Sequence, residues 1–180
     1  MSIKTRMADL NDLPILQPLI AASVRELSKS YYTDHQIESA LTFIFGVDTQ
    51  LLTDGTYYLA EADDEIIACG GWSKRATLFG GDQYKEEADP FLDPSKDAAR
   101  IRAFFVRPDW ARKGIGRMMI NLCEQAALAN GFTSMELAAT LPGQPLYAAL
   151  GYKGAAQTMV LMKNGEQLPV IMMSKELTFY

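Results

Sequence analysis

The sequence predicts a mixed α/β fold, because segments with helical periodicity alternate with short apolar strands along the chain. Apolar residues recur every three or four positions after Asp12 and again after Gly114, as in helices that bury one face. The runs between them are rich in β-branched and aromatic residues and end at Gly, Asp or Asn, which is typical of strands and turns. The predicted order is β-α-α-β-β-β-α-β-α-β-β.

The first half of the chain contains three predicted strands and two predicted helices. Asp9, Asn11 and Asp12 can cap the first helix, and Thr33 or Asp34 can cap the second. The predicted ranges are a strand over 2–7, a helix ending near 28, a helix from 34 through 45, and strands over 56–61 and 66–72. The turn 62–65 joins the last two strands into an antiparallel hairpin.

The segment 73–97 is the one long irregular stretch. Loops of this length in compact domains are usually functional or disordered. Two interpretations remain open: a solvated acidic excursion, or a part in closing the substrate site. If its acidic residues face a pocket, they favour a cationic amine. These residues are Asp82, Glu86, Glu87, Asp89 and Asp93.

The second half repeats the alternation of strands and helices. A glycine after Asn130 ends the long helix that begins near Gly114, and Asn164-Gly165 predicts a tight turn. The predicted ranges are strands over 98–106, 134–139, 159–163 and 168–177, and helices from 115 to 130 and 145 to 150.

Length and composition predict one soluble domain over residues 1–180. A net charge of −5 argues against a general nucleic-acid binder, and no segment is apolar enough for a membrane span or a signal peptide. We therefore expect a cytoplasmic protein with no nucleic-acid or membrane partner. Cys69 and Cys123 lack neighbours at metal-ligand spacing, which predicts buried thiols and no metal.

A basic, glycine-containing segment lies where the 98–106 strand meets the long helix. Gly114 and Gly116 allow a ligand to approach the backbone, and the first N–H groups of a helix attract anions. Cationic side chains surround them, namely Arg107, Arg112, Lys113 and Arg117. The segment lacks the signatures of a P-loop and of a dinucleotide fold. We interpret it as a pyrophosphate site, with an ordinary solvated turn as the alternative.

Two segments carry a resemblance to the GCN5-related N-acetyltransferase superfamily. The segment from Phe105 to Arg117 looks like that family's acetyl-coenzyme A motif, Gln/Arg-x-x-Gly-x-Gly/Ala, and 145–152 looks like its Tyr-x-x-x-Gly-Phe/Tyr motif. The resemblance implies a mostly antiparallel sheet with one parallel pair that splays at Val106. It also implies acetyl-coenzyme A as cosubstrate and a primary amine as acceptor, and the family often dimerises.

Carried over by position, the resemblance implies a set of cofactor-binding residues and one catalytic residue. Tyr147 would act as general acid for the departing thiolate, and a backbone N–H at Val106 would polarise the thioester carbonyl. Two positions depart from the family pattern, because Ala111 replaces Gln or Arg and Thr140 replaces a frequent Asn. The implied cofactor-binding residues are Phe104, Phe105, Val106, Arg112, Lys113, Gly114, Ile115, Gly116, Arg117 and Thr140.

The general base and the acceptor pocket stay open at this stage. Candidates for the base are His35, Glu61, Glu136 and Asp82, or a relay through water. The acceptor pocket could include Tyr31, Tyr32, Trp72 and the loop 80–84, each of which could equally be core or loop packing. The sequence thus predicts an N-acetyltransferase that works by direct attack in a ternary complex. A non-catalytic acyl-coenzyme A binding or sensing module is the alternative, and a domain without a ligand is a weaker one.

Overall fold

A seven-stranded sheet forms the centre of the protein in the computed structural model, which describes residues 2–86 and 89–179. The strands are β1 (Ile3–Met7), β2 (Tyr57–Ala62), β3 (Glu65–Ser73), β4 (Ala99–Val106), β5 (Ser134–Thr140), β6 (Gln157–Leu161) and β7 (Gln167–Glu176). The helices are α1 (Leu13–Ser28), α2 (Asp34–Phe43), α3 (Thr49–Thr53), α4 (Ile115–Ala129) and α5 (Gln144–Ala149). The strand order is β1-β2-β3-β4-β5-β7-β6.

Every neighbouring pair in this sheet is antiparallel except β4 and β5, which run parallel. The predicted mixed sheet with one parallel pair is therefore confirmed. The hairpin between β2 and β3 is tighter than predicted. Its two turn residues, Asp63 and Asp64, have φ values of 50° and 64°, which matches the left-handed geometry of a two-residue turn.

Helix α3 was not predicted, because five residues are too few to display a helical period. Its N-cap is Asp48, whose carboxylate accepts a hydrogen bond from the N–H of Gln50 at 3.0 Å. The other predicted elements are present, with ends that differ by one or two residues. Fraying and capping at element ends explain differences of this size.

The parallel pair opens soon after it forms. β4 and β5 pair only at Ala99 with Met135 and at Arg100 with Glu136, and beyond these residues the two strands separate. On its other edge β4 stays paired with β3 as far as Val106. The backbone of β4 therefore has a free edge toward β5, as the resemblance implied, but the separation begins beyond Arg100 and not at Val106.

A bulge shapes β4 at the point where the gap opens. Ala103 has a φ of 53°, and the pairing register with β3 shifts beside it. The hydroxyl of Tyr57, from β2, donates to the carbonyl oxygen of Ala103 at 2.8 Å and so fixes the bulge. This hydrogen bond uses one of the two lone pairs of the Ala103 carbonyl oxygen.

Two glycines in β3 make room for the aromatic rings around the bulge. A Cβ atom at Gly70 would lie 2.6 Å from the ring of Phe104. A Cβ atom at Gly71 would lie 2.2 Å from the carbonyl oxygen of Thr56 and 2.9 Å from the ring of Tyr57. Side chains at these positions would displace the residues that define the end of β4.

The sheet separates two hydrophobic cores. One core lies against α4 and α5 and includes Met119, Cys123 and Tyr147, with Phe104 and Val106 packed at its edge. The other lies against α1 and α2, with Ala103 and Phe105 at its edge. Successive residues of β4 thus face opposite cores, as the alternation of a strand requires.

Candidate functional site

A cavity of about 760 Å³ lies where β4 and β5 separate. The last residues of β4 and the first residues of α4 line one part of it, together with α5. Residues of α1 and the segment 78–81 line another part. Because α4 and α1 belong to opposite faces of the sheet, the cavity reaches from one face to the other through the gap.

The structure brings nearly all the residues predicted for the site to this cavity. Its lining includes Phe104, Phe105, Val106, Arg112, Gly114, Ile115, Gly116, Arg117, Thr140 and Tyr147. The exception is Lys113, which is outside the lining and whose ammonium lies 4.8 Å from the ring centroid of Trp110.

The start of α4 is open to a ligand. Its N-cap is Gly114, with a φ of 84°, and no side chain caps the first turn. A helix start without a cap leaves N–H groups and a partial positive charge for an anion. Arg112 and Arg117 are exposed beside it. Arg107, in contrast, is already paired with Glu65 and Asp109 at 2.7 and 2.6 Å.

Gly116 allows α4 and α5 to approach each other closely. A Cβ atom at this position would lie 2.8 Å from Cδ2 of Leu146. Real Cβ contacts are not this short, so a larger residue requires Leu146 to move. The absence of a side chain at Gly116 therefore serves the packing of the cavity wall.

Tyr147 is a buried residue of the cavity wall in α5. Its ring packs edge-to-face on Tyr152 with centroids 5.8 Å apart, and burial raises the pKa of its hydroxyl above the usual value. Tyr152 itself donates to the carboxylate of Glu124 at 3.0 Å. Thr140 accepts a hydrogen bond from the N–H of Gly143 at 3.2 Å, which leaves its own O–H as a donor.

None of the four candidate bases lines this cavity. His35 is exposed and pairs with Glu166, and Glu61 pairs with Arg6. Glu136 pairs with Arg100 at 3.0 Å, and Asp82 accepts the N–H of Thr49 at 2.9 Å. The hypothesis that one of these residues contacts the reacting amine directly is therefore not supported by their positions.

The predicted aromatic pocket is only partly present. Tyr31 lines the cavity, but Trp72 is core, where it packs on Phe132 with centroids 6.0 Å apart. Tyr32 is also buried, and its hydroxyl donates to the carbonyl of Pro169 at 2.6 Å. In the loop 80–84, Gly80 and Gly81 belong to the lining.

The described carboxylates of the segment 73–97 bind other groups of the protein and do not line the cavity, which corrects the idea that they attract a cationic amine. Glu86 pairs with Lys163 at 3.0 Å, and Asp93 accepts hydrogen bonds from Ser95. Asp89 accepts the N–H of Thr77 at 2.7 Å and pairs with Lys85. Glu87 lies outside the described residues. Residues 78–81 do line the cavity, which supports a part in the substrate site for this segment.

Several lining residues were missed by sequence reasoning. Val24 and Leu27 of α1 have the spacing of a buried helix face, and this pattern predicts core packing without indicating a ligand site. A usable signal was present, because Ser23 and Ser28 place hydroxyl groups on that apolar face. The missed residues are Ser23, Val24, Leu27, Ser28, Ile44, Phe45, Gly46, Leu78, Phe79, Ile101, Ala103, Trp110, Ala111, Leu137, Ala138, Pro142, Gly143, Pro145, Leu146 and Ala149.

The sequence profile of the acetyltransferase (GNAT) family matches residues 21–152, which contain β2 to β5, α4 and α5. The chain belongs to the acetyltransferase (GNAT) family. The predicted class, an acyltransferase that depends on acetyl-coenzyme A, is confirmed by this match. No curated protein matches the sequence of this GNAT protein significantly.

Solved structures share the GNAT fold at low sequence identity. A GCN5-related N-acetyltransferase from Rhodopseudomonas palustris has a TM-score of 0.74 and 18% identity, with 98% of this chain and 97% of the other covered. PaiA N-acetyltransferase from Thermoplasma acidophilum, in complex with coenzyme A, has a TM-score of 0.65 and 15% identity over 98% and 100%. YncA from Salmonella typhimurium, with acetyl-CoA, has a TM-score of 0.63 and 15% identity over 100% and 96%.

Within residues 2–86 and 89–179 of the GNAT chain, no helix has both the length and the apolar composition needed to cross a membrane. Nor do these residues include a group of three or more His, Cys, Asp or Glu side chains placed to hold a metal ion.

Proposed function

We propose that residues 1–180 act as one N-acetyltransferase domain that transfers the acetyl group of acetyl-coenzyme A to a primary amine. The observation that carries this proposal is the gap between β4 and β5, which opens on the uncapped start of α4. The free edge of β4 is suited to the pantetheine arm of coenzyme A, and the cationic start of α4 is suited to its pyrophosphate.

The pantetheine arm carries amides, which can pair with the free edge of β4 as another strand would. The N–H of Arg107 donates to the carbonyl of Ile67 in β3, at 2.8 Å. Because N–H groups alternate along a strand, the N–H of Val106 faces the gap and is available to the thioester carbonyl. The pyrophosphate would lie at the start of α4 beside Arg112 and Arg117.

Direct attack of the amine on the thioester fits the positions of the cysteines. Cys69 and Cys123 are buried and outside the cavity lining, and burial raises the pKa of Cys69 to about 12. An acetylated cysteine intermediate therefore has no candidate at the site. The amine nitrogen would bond to the acetyl carbon, and the carbon–sulfur bond would break as Tyr147 gives its proton to the thiolate. The proton that the acetylated nitrogen loses would return through water to the Tyr147 oxygen.

Replacing both Arg112 and Arg117 with alanine should weaken acetyl-coenzyme A binding by roughly 10- to 100-fold, because charge-assisted contacts to the pyrophosphate are lost. Both side chains are exposed, so the fold should be unaffected. Calorimetric titration measures the dissociation constant. Lys113→Ala is the matched control, since Lys113 lies outside the cavity lining and its loss should change affinity much less. Equal effects of the two variants would contradict the assignment of the pyrophosphate site.

A non-catalytic module that binds acyl-coenzyme A is the second candidate. It is favoured by one observation, the lack of any carboxylate or histidine among the described residues of the cavity lining. Release of free thiol from acetyl-coenzyme A in the presence of amines separates the two candidates. An enzyme releases thiol in proportion to the acetylated amine, whereas a binding module only shifts the melting temperature.

A further inference from the structure

The part of the cavity on the α1 face is apolar and aromatic. Val24 and Leu27 of α1 contribute aliphatic groups, and Phe45, Leu78 and Phe79 contribute the facing wall. Small-molecule sites combine such a lining with a few polar groups that orient the ligand. Here these groups are the hydroxyls of Ser23, Ser28 and Tyr31, all of which belong to the lining.

The charged side chains among the described residues of the cavity lining are all positive. Among the described residues that line it, the charged side chains are Arg112 and Arg117, and both are at the end that faces the start of α4. A second ammonium group on the acceptor would lose its hydration without gaining a carboxylate partner. The site is therefore unsuited to diamines and polyamines.

The wall that carries Leu78 and Phe79 is held in place by hydrogen bonds, two of which come from the buried Arg102. The guanidinium of Arg102 donates to the carbonyl oxygen of Gly80 at 2.6 Å and to that of Thr77 at 3.3 Å. The N–H of Gly81 donates to the carbonyl of Ile44 at 2.8 Å. Because both ends of this short segment are fixed, the apolar wall exists before any acceptor binds.

We propose that the acceptor is a monoamine that carries an aromatic or aliphatic group, and that this apolar group binds between α1 and the segment 78–81. This inference rests on the proposed acetyl transfer and names its substrate class. The body fills the apolar wall, and the amino group reaches the thioester through the gap between β4 and β5. The amine enters without its proton, because no described lining residue is a carboxylate or histidine that could accept it.

The test compares two acceptors that differ in one group, hexylamine and 1,6-diaminohexane, with thiol release as the readout. We expect kcat/KM to be higher for hexylamine by about tenfold or more, because the second ammonium must be desolvated. 2-Phenylethylamine and the dipeptide phenylalanyl-glycinamide extend the test to aromatic bodies. Transfer to either one supports the inference. Transfer to 2-phenylethylamine indicates a small-molecule amine as the acceptor, and transfer to the dipeptide indicates the N-terminus of a peptide.

A charge variant tests the location of the site. Leu78→Glu places a carboxylate on the apolar wall and should reduce the preference for hexylamine by about tenfold, since the diamine gains a partner. Leu78→Gln has the same size without the charge and should leave the preference almost unchanged. Leu161→Glu, on an exposed position of β6 outside the cavity, controls for a general change in charge.

The outcomes distinguish this inference from the function on which it rests. A preference for 1,6-diaminohexane in the unaltered protein, with thiol release intact, overturns the acceptor class and leaves the acetyl transfer in place. An unchanged preference in Leu78→Glu overturns the location. Binding of acetyl-coenzyme A with no thiol release for any of the four amines overturns the proposed transferase activity, and the acceptor class with it.

Discussion

Replacement of Tyr147 by phenylalanine is expected to lower kcat by roughly 100-fold or more, because loss of a general acid has effects of this size. Burial raises the pKa of the hydroxyl, so it stays protonated at neutral and mildly alkaline pH and can supply a proton. The phenylalanine ring keeps the edge-to-face packing on Tyr152. Affinity for acetyl-coenzyme A should therefore change little, which steady-state kinetics and calorimetric titration measure together.

Tyr152→Phe is the matched control for this variant. Tyr152 also is a buried tyrosine, but it lies outside the cavity lining and its hydroxyl bonds to Glu124. Loss of that hydrogen bond should cost about 1 kcal/mol of stability and leave kcat of the folded protein near its original value. If Tyr147→Phe keeps full kcat, the thiolate takes its proton from another source, and the catalytic role of Tyr147 must be abandoned.

The second large effect concerns the buried ion pairs behind the cavity wall. Asp48 accepts from the guanidinium of Arg102 and from the ammonium of Lys85, both at 3.0 Å, and both Asp48 and Arg102 are buried. Asp48→Ala should lower the free energy of unfolding by about 3–5 kcal/mol, since it leaves a buried guanidinium without its carboxylate. Urea denaturation with a two-state fit measures this change.

An exposed ion pair provides the comparison. Asp93 pairs with Lys96 at 3.4 Å, and both side chains are largely exposed to solvent. Asp93→Ala should lower the free energy of unfolding far less than Asp48→Ala, even counting its bonds to Ser95, because solvent screens such pairs. A double variant, Asp48→Leu with Arg102→Met, should be more stable than Asp48→Ala alone, because no charge is left unpaired. Similar losses for Asp48→Ala and Asp93→Ala would contradict the importance of burial here.

The residues proposed to bind the donor could be located from the sequence because they are close together along the chain. The end of β4, the turn and the first residues of α4 lie within 104–117, and local geometry dictates how they sit in space. The same applies to Tyr147 on α5. The parallel pairing of β4 with β5 was available through the family resemblance, and the structure agrees with it. The resemblance placed the separation of the two strands at Val106, whereas they separate already beyond Arg100 and Glu136.

The acceptor half could not be predicted, because its residues come from separate segments and have no common pattern. Val24 and Leu27 look like ordinary core residues of an amphipathic helix. The carboxylates of the segment 73–97 look available in the sequence, but Asp89 bonds to Thr77 and Lys85, and Asp82 to Thr49. Such hydrogen bonds and ion pairs between distant segments depend on the fold and cannot be predicted from the local sequence.

Because β4 and β5 separate early, binding of acetyl-coenzyme A would also stabilise the folded protein. Beyond Arg100 and Glu136 the two halves of the sheet are no longer joined by pairing between these strands, and the central gap is a break in the ladder. A pantetheine arm that hydrogen-bonds to β4 would partly repair this break. Ligand binding and cooperative unfolding would then be thermodynamically linked, so the cellular level of acetyl-coenzyme A would set the stability of the protein as well as its rate.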